Sequence, residues 1–432
     1  MNKRDSFGSK IGAILVAAGS AIGLGSIWRF PYMTGENGGG AFLLVYLLSM
    51  LIVGIPVMLS EFAIGTYTRK SPVKAYNQLS PRWKWLGYNS VIVSLLISGF
   101  YYIVAGWSLE YFISSVDGSL YSVSDFHQHF ASFTNSWHEP LYTVAFVLLT
   151  HIVVVMGVQN GLERISKIAM PILLVMLIVL VVHSAGMPGA AEGYSFLLTP
   201  DFDKAFSAKT IVSAIGQAFF SLSIGLGCMI AYSSYFKEGT NLTKTSISVS
   251  LMTFCVAMLS GLVIFPAVFS VEGLEPTAGP TLLFETMPFI FAEMPAPSLW
   301  SAIFFLLVVL AALTSTISFH EVLTQYLQEN HNVSRRNAAR ITSVATIALS
   351  VLCLKWGWFF DAFDTITADW LMPLGGLLTS IFAGWVFDRQ VFKGEISNHG
   401  TLRAKLFPLL VFTLKWVAPI LLSVAFVWNL IF

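Results

Sequence analysis

Eleven stretches of this chain are apolar over the ~20 residues that a helix needs to cross a bilayer. They are 11–34, 41–66, 86–116, 140–158, 164–185, 210–236, 245–270, 298–327, 338–356, 364–387 and 407–431. Such runs leave few folds open. In hydrocarbon every backbone N–H and C=O must find a partner within the protein, so runs of this length predict helices and an all-α polytopic membrane protein. Charge content agrees: 11% of the 432 residues are Asp, Glu, Lys or Arg, against about a quarter in soluble domains. No hydrophilic stretch is long enough to fold separately, so residues 1–432 read as a single domain.

The basic residues orient the bundle, because cytoplasmic loops are enriched in Lys and Arg. With the N-terminus inside, nineteen of the 24 fall on the cytoplasmic side: 3, 4, 10, 69, 70, 74, 82, 84, 164, 167, 237, 244, 335, 336, 340, 389, 393, 403 and 405. Only Lys204, Lys209 and Lys355 lie outside, and Arg29 and Lys415 lie within spans. An odd number of spans then puts the C-terminus outside. Residues 1–10 lead straight into a structural segment without a small-residue cleavage site and do not read as a signal peptide. A net charge of +1 and the lack of any basic stripe with interleaved aromatics make a nucleic-acid partner unexpected. Cys228, Cys255 and Cys353 have no metal or redox spacing and read as packing residues. The sequons at Asn241 and Asn332 fall in expected cytoplasmic loops and read as accidental.

The same four residues occur twice, as Ile22-Gly23-Leu24-Gly25 and Ile224-Gly225-Leu226-Gly227. Irregular backbone at membrane depth survives only where protein, water or ligand satisfies it. Gly-interrupted apolar segments at corresponding places in two halves point to a midplane site between broken helices. If 11–190 and 210–390 each supply five spans, the odd number inverts the second half, the breaks fall in spans 1 and 6, and span 11 (407–431) is an addition. Unwinding at Gly23 and Gly25 frees carbonyls suited to a hard cation and amides suited to an anion. The alternative is a glycine-lined packing face. The proline-rich 272–297 segment is expected to be an external loop, shaped as a short hairpin lid.

Four further features carry potential chemistry. Arg29 is a charge inside a span, with Asp361, Asp364 and Asp369 as candidate partners. Glu61 follows Gly54-Ile55-Pro56 and is expected to hydrogen-bond unwound backbone of a neighbouring helix. Thr314 and Ser315, near Ala311, place oxygens on about one helix face, as a hard cation requires. His320 and Glu321 are titratable and could form a proton relay, or a structural pair. No nucleophile, base and oxyanion arrangement is visible, so an enzyme is not expected.

Taken together, Gly-x-Ala-Ile-Gly-Leu-Gly-x-x-Trp-Arg-Phe-Pro, Glu-Asn-Gly-Gly-Gly-Ala-Phe, Gly-Ile-Pro-x-x-x-x-Glu and Ala-Leu-Thr-Ser-Thr-Ile-Ser resemble the neurotransmitter:sodium symporter family over nearly the whole chain, in its bacterial amino-acid branch. The resemblance implies a sodium-coupled symporter of a bacterial cell membrane that imports a small hydrophobic or aromatic amino acid by alternating access. It places a second sodium site at the carbonyls of Gly19, Ile22 and Ala311 and the hydroxyls of Thr314 and Ser315. The substrate carboxylate would meet the amides of Leu24 and Gly25 and the hydroxyl of Tyr101. Ser20, Ala21, Ile97, Phe220, Ser221, Ser223, Leu226 and Phe319 would form the rest of the substrate pocket. Arg29 with Asp364 would gate the outside, and Arg4 with Glu329, near Tyr235, the inside. Amine-transporting members carry Asp at the position of Gly23; its absence favours an amino acid.

The first sodium site departs from the family pattern. Ala21 is kept, but Ser26 and Thr253 stand where Asn is usual, and Ser221 where Thr is frequent. The expectation is one firmly bound sodium, with the first site weak or absent. The chloride-binding group of the family maps to Tyr46, Gln217, Ser221, Thr253 and Ala257, and the last two positions do not carry chloride dependence over. Proton coupling through His320 and Glu321, or a transport-inactive substrate sensor, are the alternatives.

Overall fold

The computed structural model describes residues 5–123, 125–270 and 282–431, the side chains of 282 and 429–431 apart. Within them lie nine helices long and apolar enough to span a bilayer, and a tenth span formed by two helices meeting at 53°. In chain order these are α1 (Lys10–Ala21) and α2 (Gly25–Glu36), which form the bent pair, then α3 (Gly40–Thr68), α4 (Pro81–Val116), α5 (His138–Val155) and α6 (Val158–Ser184). Two shorter helices follow, α7 (Ala208–Leu222) and α8 (Cys228–Ser233). The remainder are α9 (Leu242–Phe269), α10 (Pro297–His331), α11 (Arg335–Lys355), α12 (Gly357–Val386) and α13 (Phe407–Trp428). Each of α7 and α8 alone is too short to cross; both fall within 210–236, where the sequence predicts the sixth span, to within a few residues.

Depth in the bundle follows the hydrophobic pattern. α4 and α10, of 36 and 35 residues, have 72% of their most apolar window buried, whereas α6 has 33%. At 1.5 Å per residue the two central helices are about 50 Å long, longer than the ~30 Å hydrocarbon core, so their ends extend beyond it. On α6, Ile168, Ile172, Val175, Ile178 and Val182 are exposed along one side, as expected of a face in contact with lipid.

The two breaks differ. In the first, the last turn of α1 closes with the Ile22 N–H donating to the Ala18 carbonyl, and helical geometry resumes at Gly25 as a π-helical turn. The second is a longer unwound stretch. Ser223, Gly225 and Gly227 all adopt positive φ (51°, 84° and 80°). At Gly225 the backbone also runs so close to α12 that a Cβ would sit 2.4 Å from the Met372 carbonyl oxygen, which only glycine avoids.

Part of the proline-rich external segment, 272–281, lies outside the described residues. Its continuation forms a turn at Leu282–Thr286 and a helix at Met287–Ala292. Phe284 packs there against Trp107, Tyr111 and Phe130. His127, in the helix Phe126–Thr134, meets Glu285 at 2.9 Å. The sequon asparagines have a structural use. Asn241 caps α9 by accepting from the Lys244 N–H, and Asn332 ends α10 in a left-handed conformation. Cys228 and Cys353 are buried, and all three thiols are free.

Candidate functional site

The first break leaves polar backbone in a buried place. Leu24 donates its N–H to the Tyr101 hydroxyl at 3.0 Å, and the Gly25 carbonyl accepts from Gln217 Nε2 at 2.7 Å. Among the described residues, no hydrogen bond reaches the N–H of Gly25 or the carbonyls of Gly19 and Ile22. Buried backbone groups are almost always paired. Unpaired ones gathered at a helix break are what a bound ion or carboxylate would use.

A small cavity adjoins this backbone. Ser20, Ala21, Gly23 and Gly25 line it from the first break, and Ile97 and Tyr101 from α4. Phe220, Ser223 and Leu226 line it from the second break, Ser315 and Phe319 from α10, and Met372 from α12. The room left for the centre of a water-sized sphere is about 10 Å³, roughly one water's worth, so the walls have closed onto each other. Tyr101 and Phe319 meet edge to face at 5.2 Å. The second break is tied to the first by Ser223 Oγ, which donates to the Ser20 carbonyl at 2.8 Å. Glu61, as expected, holds unwound backbone: the Gly225 N–H donates to its Oε1 at 2.7 Å.

Most expected pocket residues line this cavity, with two differences. Leu24 contributes its N–H to Tyr101 and lies behind the wall. Ser221 is fully buried on another side of α7, where its hydroxyl accepts from Gln217 Nε2 at 2.9 Å. Conversely, Gly23, Ser315 and Met372 were not expected on the wall. Gly23 could have been anticipated from its place directly before the two carboxylate-facing amides. Met372 has no sequence signal, because α12 reaches the site only through tertiary packing.

The oxygens expected for the second cation site come together where α1 meets α10. Thr314 Oγ1 donates to the Ala311 carbonyl at 3.0 Å and Ser315 Oγ to the Ser20 carbonyl at 3.4 Å. A Cβ on Gly19 would lie 3.2 Å from that of Thr314. The expected donors are all oxygens, and the Gly19 and Ile22 carbonyls receive no hydrogen bond among the described residues, which suits sodium. At the first site, as at the second, the expected hydroxyls bond to protein carbonyls. Ser26 Oγ donates to the Ala21 carbonyl at 3.4 Å, and the Ser26 carbonyl accepts from Ser260 at 2.8 Å. Thr253 turns back to the Val249 carbonyl of its own helix at 2.9 Å. Ser260 is a participant that sequence reasoning missed.

On the side of Arg29, two of the three candidate acids, Asp364 and Asp369, act on its charge. Arg29 lies 3.9 Å from Asp369, donates to Gln217 Oε1 at 3.4 Å and covers the Phe220 ring at 4.9 Å. Asp364 is not at ion-pair distance. Asp369 lies within the π-helical turn Ile366–Leu371 and Asp364 one turn before it.

On the opposite side, Arg4 lies outside the described residues, and Glu329 accepts from the Ser71 N–H at 2.9 Å. Tyr235 donates to Glu321 at 2.7 Å, and Arg335 grips both oxygens of Glu321 at 3.0 and 2.6 Å. That fork-like pair is the strong geometry for a carboxylate. His320 and Glu321 are therefore not a pair: His320 meets Thr324 at 3.1 Å and Ser343 at 2.9 Å. The N-terminal segment is fastened nearby, with Gly8 N–H, Ser9 and Lys167 all on the buried Glu163.

The family model described as sodium:neurotransmitter symporter family matches residues 4–141 and 121–432. An uncharacterized sodium-dependent transporter of Bacillus subtilis, YhdH, is 36% identical over 440 residues, covering 98% of this chain and 97% of the relative. The rat sodium- and chloride-dependent GABA transporter 2 is 27% identical, covering 99% of this chain and 80% of its own. Among solved structures, the crystal structure of MhsT in complex with L-phenylalanine superposes with a TM-score of 0.92 at 36% identity, covering 98% of this chain and 99% of that one. The chain thus belongs to the sodium:neurotransmitter symporter family and is a sodium-dependent, multi-pass membrane transporter, not an enzyme.

Proposed function

We propose that this transporter imports a hydrophobic or aromatic amino acid together with sodium by alternating access. The observation that carries the reading is the unpaired Gly25 N–H beside the Leu24–Tyr101 hydrogen bond, at the polar end of a cavity otherwise walled by Ile97, Phe220, Leu226, Phe319 and Met372. Amides opening a half-helix attract a carboxylate, and the apolar walls take the side chain. An acidic side chain at position 23 has no room, since even a Cβ there would lie 2.0 Å from Ser315 Oγ. The substrate accordingly supplies its own carboxylate. The likeness to a structure holding L-phenylalanine supports an aromatic side chain.

Sodium would be carried at the second site by Gly19, Ile22, Ala311, Thr314 and Ser315. Ser315 belongs both to this set and to the cavity wall, so a cation there fixes the hydroxyl against which substrate packs. A ligand shifts a conformational equilibrium only through differential affinity, and that shared residue supplies it. The first site, where Ser26 and Thr253 stand in place of the family's usual Asn, is read as weak or absent, giving one sodium per substrate. Residues 11–190 and 210–390 are read as inverted five-span repeats, with the N-terminus cytoplasmic and the C-terminus outside. Arg29 with Asp369 and Phe220 would close the outer path. The Glu321–Arg335–Tyr235 network and the Glu163-anchored N-terminal segment would close the inner one.

Uptake into proteoliposomes tests the reading. An inward sodium gradient drives accumulation of labelled L-phenylalanine; binding without accumulation indicates a sensor, and accumulation on a proton gradient alone indicates proton coupling. The separate surroundings of His320 and Glu321 speak against the last outcome.

A further inference from the structure

A groove of about 400 Å³ opens where the first turns of α9 meet the segment joining α12 to α13. Its lining includes Lys244 and Arg403, the hydroxyls of Thr243 and Ser248, and the apolar Ile247 and Leu402, with no acidic side chain. Lys244 and Arg403 are exposed, and neither makes an ion pair among the described residues. The groove lies on the side of the bundle that carries the N-terminus, because Lys10 reaches the Gly239 carbonyl just ahead of α9 at 2.9 Å. Deeper along α9, Ile247 and Leu251 are 49% and 60% exposed, as a lipid-facing strip would be.

We propose that this groove binds the headgroup of an anionic phospholipid from the leaflet on the N-terminal side. The phosphate sits against Lys244 and Arg403, headgroup hydroxyls meet Thr243 and Ser248, and an acyl chain descends along Ile247 and Leu251. Basic pockets at this level of a membrane are suited to such headgroups. Free phosphate would satisfy the two cations but leave the apolar strip uncovered; the juxtaposition of paired cations above a lipid-facing strip selects the lipid. The inference requires only the membrane-spanning fold, not the transport reading.

The test is lipid binding to the full-length protein in detergent, followed by native mass spectrometry. Titration with phosphatidylglycerol is compared with phosphatidylcholine of the same acyl chains and with inorganic phosphate as competitor. At ~1 kcal/mol per Lys or Arg near an anionic lipid, removing each charge weakens binding roughly fivefold. Lys244→Gln with Arg403→Gln together should therefore raise the phosphatidylglycerol Kd about 25-fold and leave phosphatidylcholine unchanged. The charge-preserving pair Lys244→Arg with Arg403→Lys should retain tight binding. Equal binding of the two lipids, an unchanged Kd in the double Gln variant, or displacement of lipid by millimolar phosphate would overturn the proposal.

Discussion

Gly23→Ala is the most informative single substitution, because the space it needs is occupied by two atoms with distinct tasks. The new Cβ would lie 2.0 Å from Ser315 Oγ and 2.7 Å from the Tyr101 hydroxyl, whereas ordinary contact begins at 3.4 Å. Ser315 must then retreat by at least about 1.4 Å and Tyr101 by about 0.7 Å. The first movement would displace the proposed sodium ligand, and the second the hydroxyl that, with the Leu24 N–H, is proposed to face the substrate carboxylate. A hydrogen bond to a charged group contributes ~1.5–3 kcal/mol. Losing one contact weakens sodium-dependent substrate binding roughly tenfold or more, and losing both by as much as ~10⁴-fold. Gly216→Ala, in α7 of the same bundle, is the control, since a Cβ there meets nothing within 4 Å; it should leave binding intact and add a little stability. The assay is equilibrium binding of labelled L-phenylalanine at a series of sodium concentrations, with thermal unfolding to verify that each variant folds. If Gly23→Ala binds as wild type does, neither Ser315 nor Tyr101 touches the ligands and the site assignment is wrong.

Glu61→Ala strips the Gly225 N–H of its acceptor; at ~1–3 kcal/mol for an orphaned buried donor, apparent melting temperature should fall, with Glu61→Gln falling less. An unchanged melting curve for the Ala variant would show that the second break does not depend on this bond. Arg335→Ala leaves Glu321 buried without its cation, a loss of ~3–5 kcal/mol; a larger decrease in stability than that of the double variant Arg335→Met with Glu321→Leu is expected, and the opposite ranking would contradict the network. Outside the membrane, the Glu285 carboxylate raises the pKa of His127 above its ordinary 6.5. The folded state thus holds this proton more tightly, so the contact stabilises the external segment at acidic pH and is lost as pH rises through the raised pKa. An NMR titration placing His127 at or below 6.5 would refute it.

How much of this could be seen beforehand varied with the range of the interaction. Spans follow from runs of apolar residues, and their ends shifted by only a few residues because hydrocarbon tolerates nothing but helix there. The first break was readable from Gly23 and Gly25. The second was readable as a place but not as a shape: a left-handed Ser223, held by the Ser20 carbonyl, has no local signature. Pairings across the bundle were least accessible. Asp364 and Asp369 are five residues apart, and only the packing of the bundle shows that Asp369 comes within 3.9 Å of Arg29. Glu321 is adjacent in sequence to His320 yet belongs with Arg335 and Tyr235, since successive residues of a helix point about 100° apart.

The central claim is that sodium bound between α1 and α10 powers amino-acid accumulation, one ion per substrate. It is tested most directly by measuring sodium and L-phenylalanine fluxes together in proteoliposomes clamped at a series of membrane potentials. The account predicts accumulation that requires inward sodium and a reversal potential corresponding to one sodium per amino acid. Accumulation without sodium, or a reversal potential corresponding to two, would contradict it.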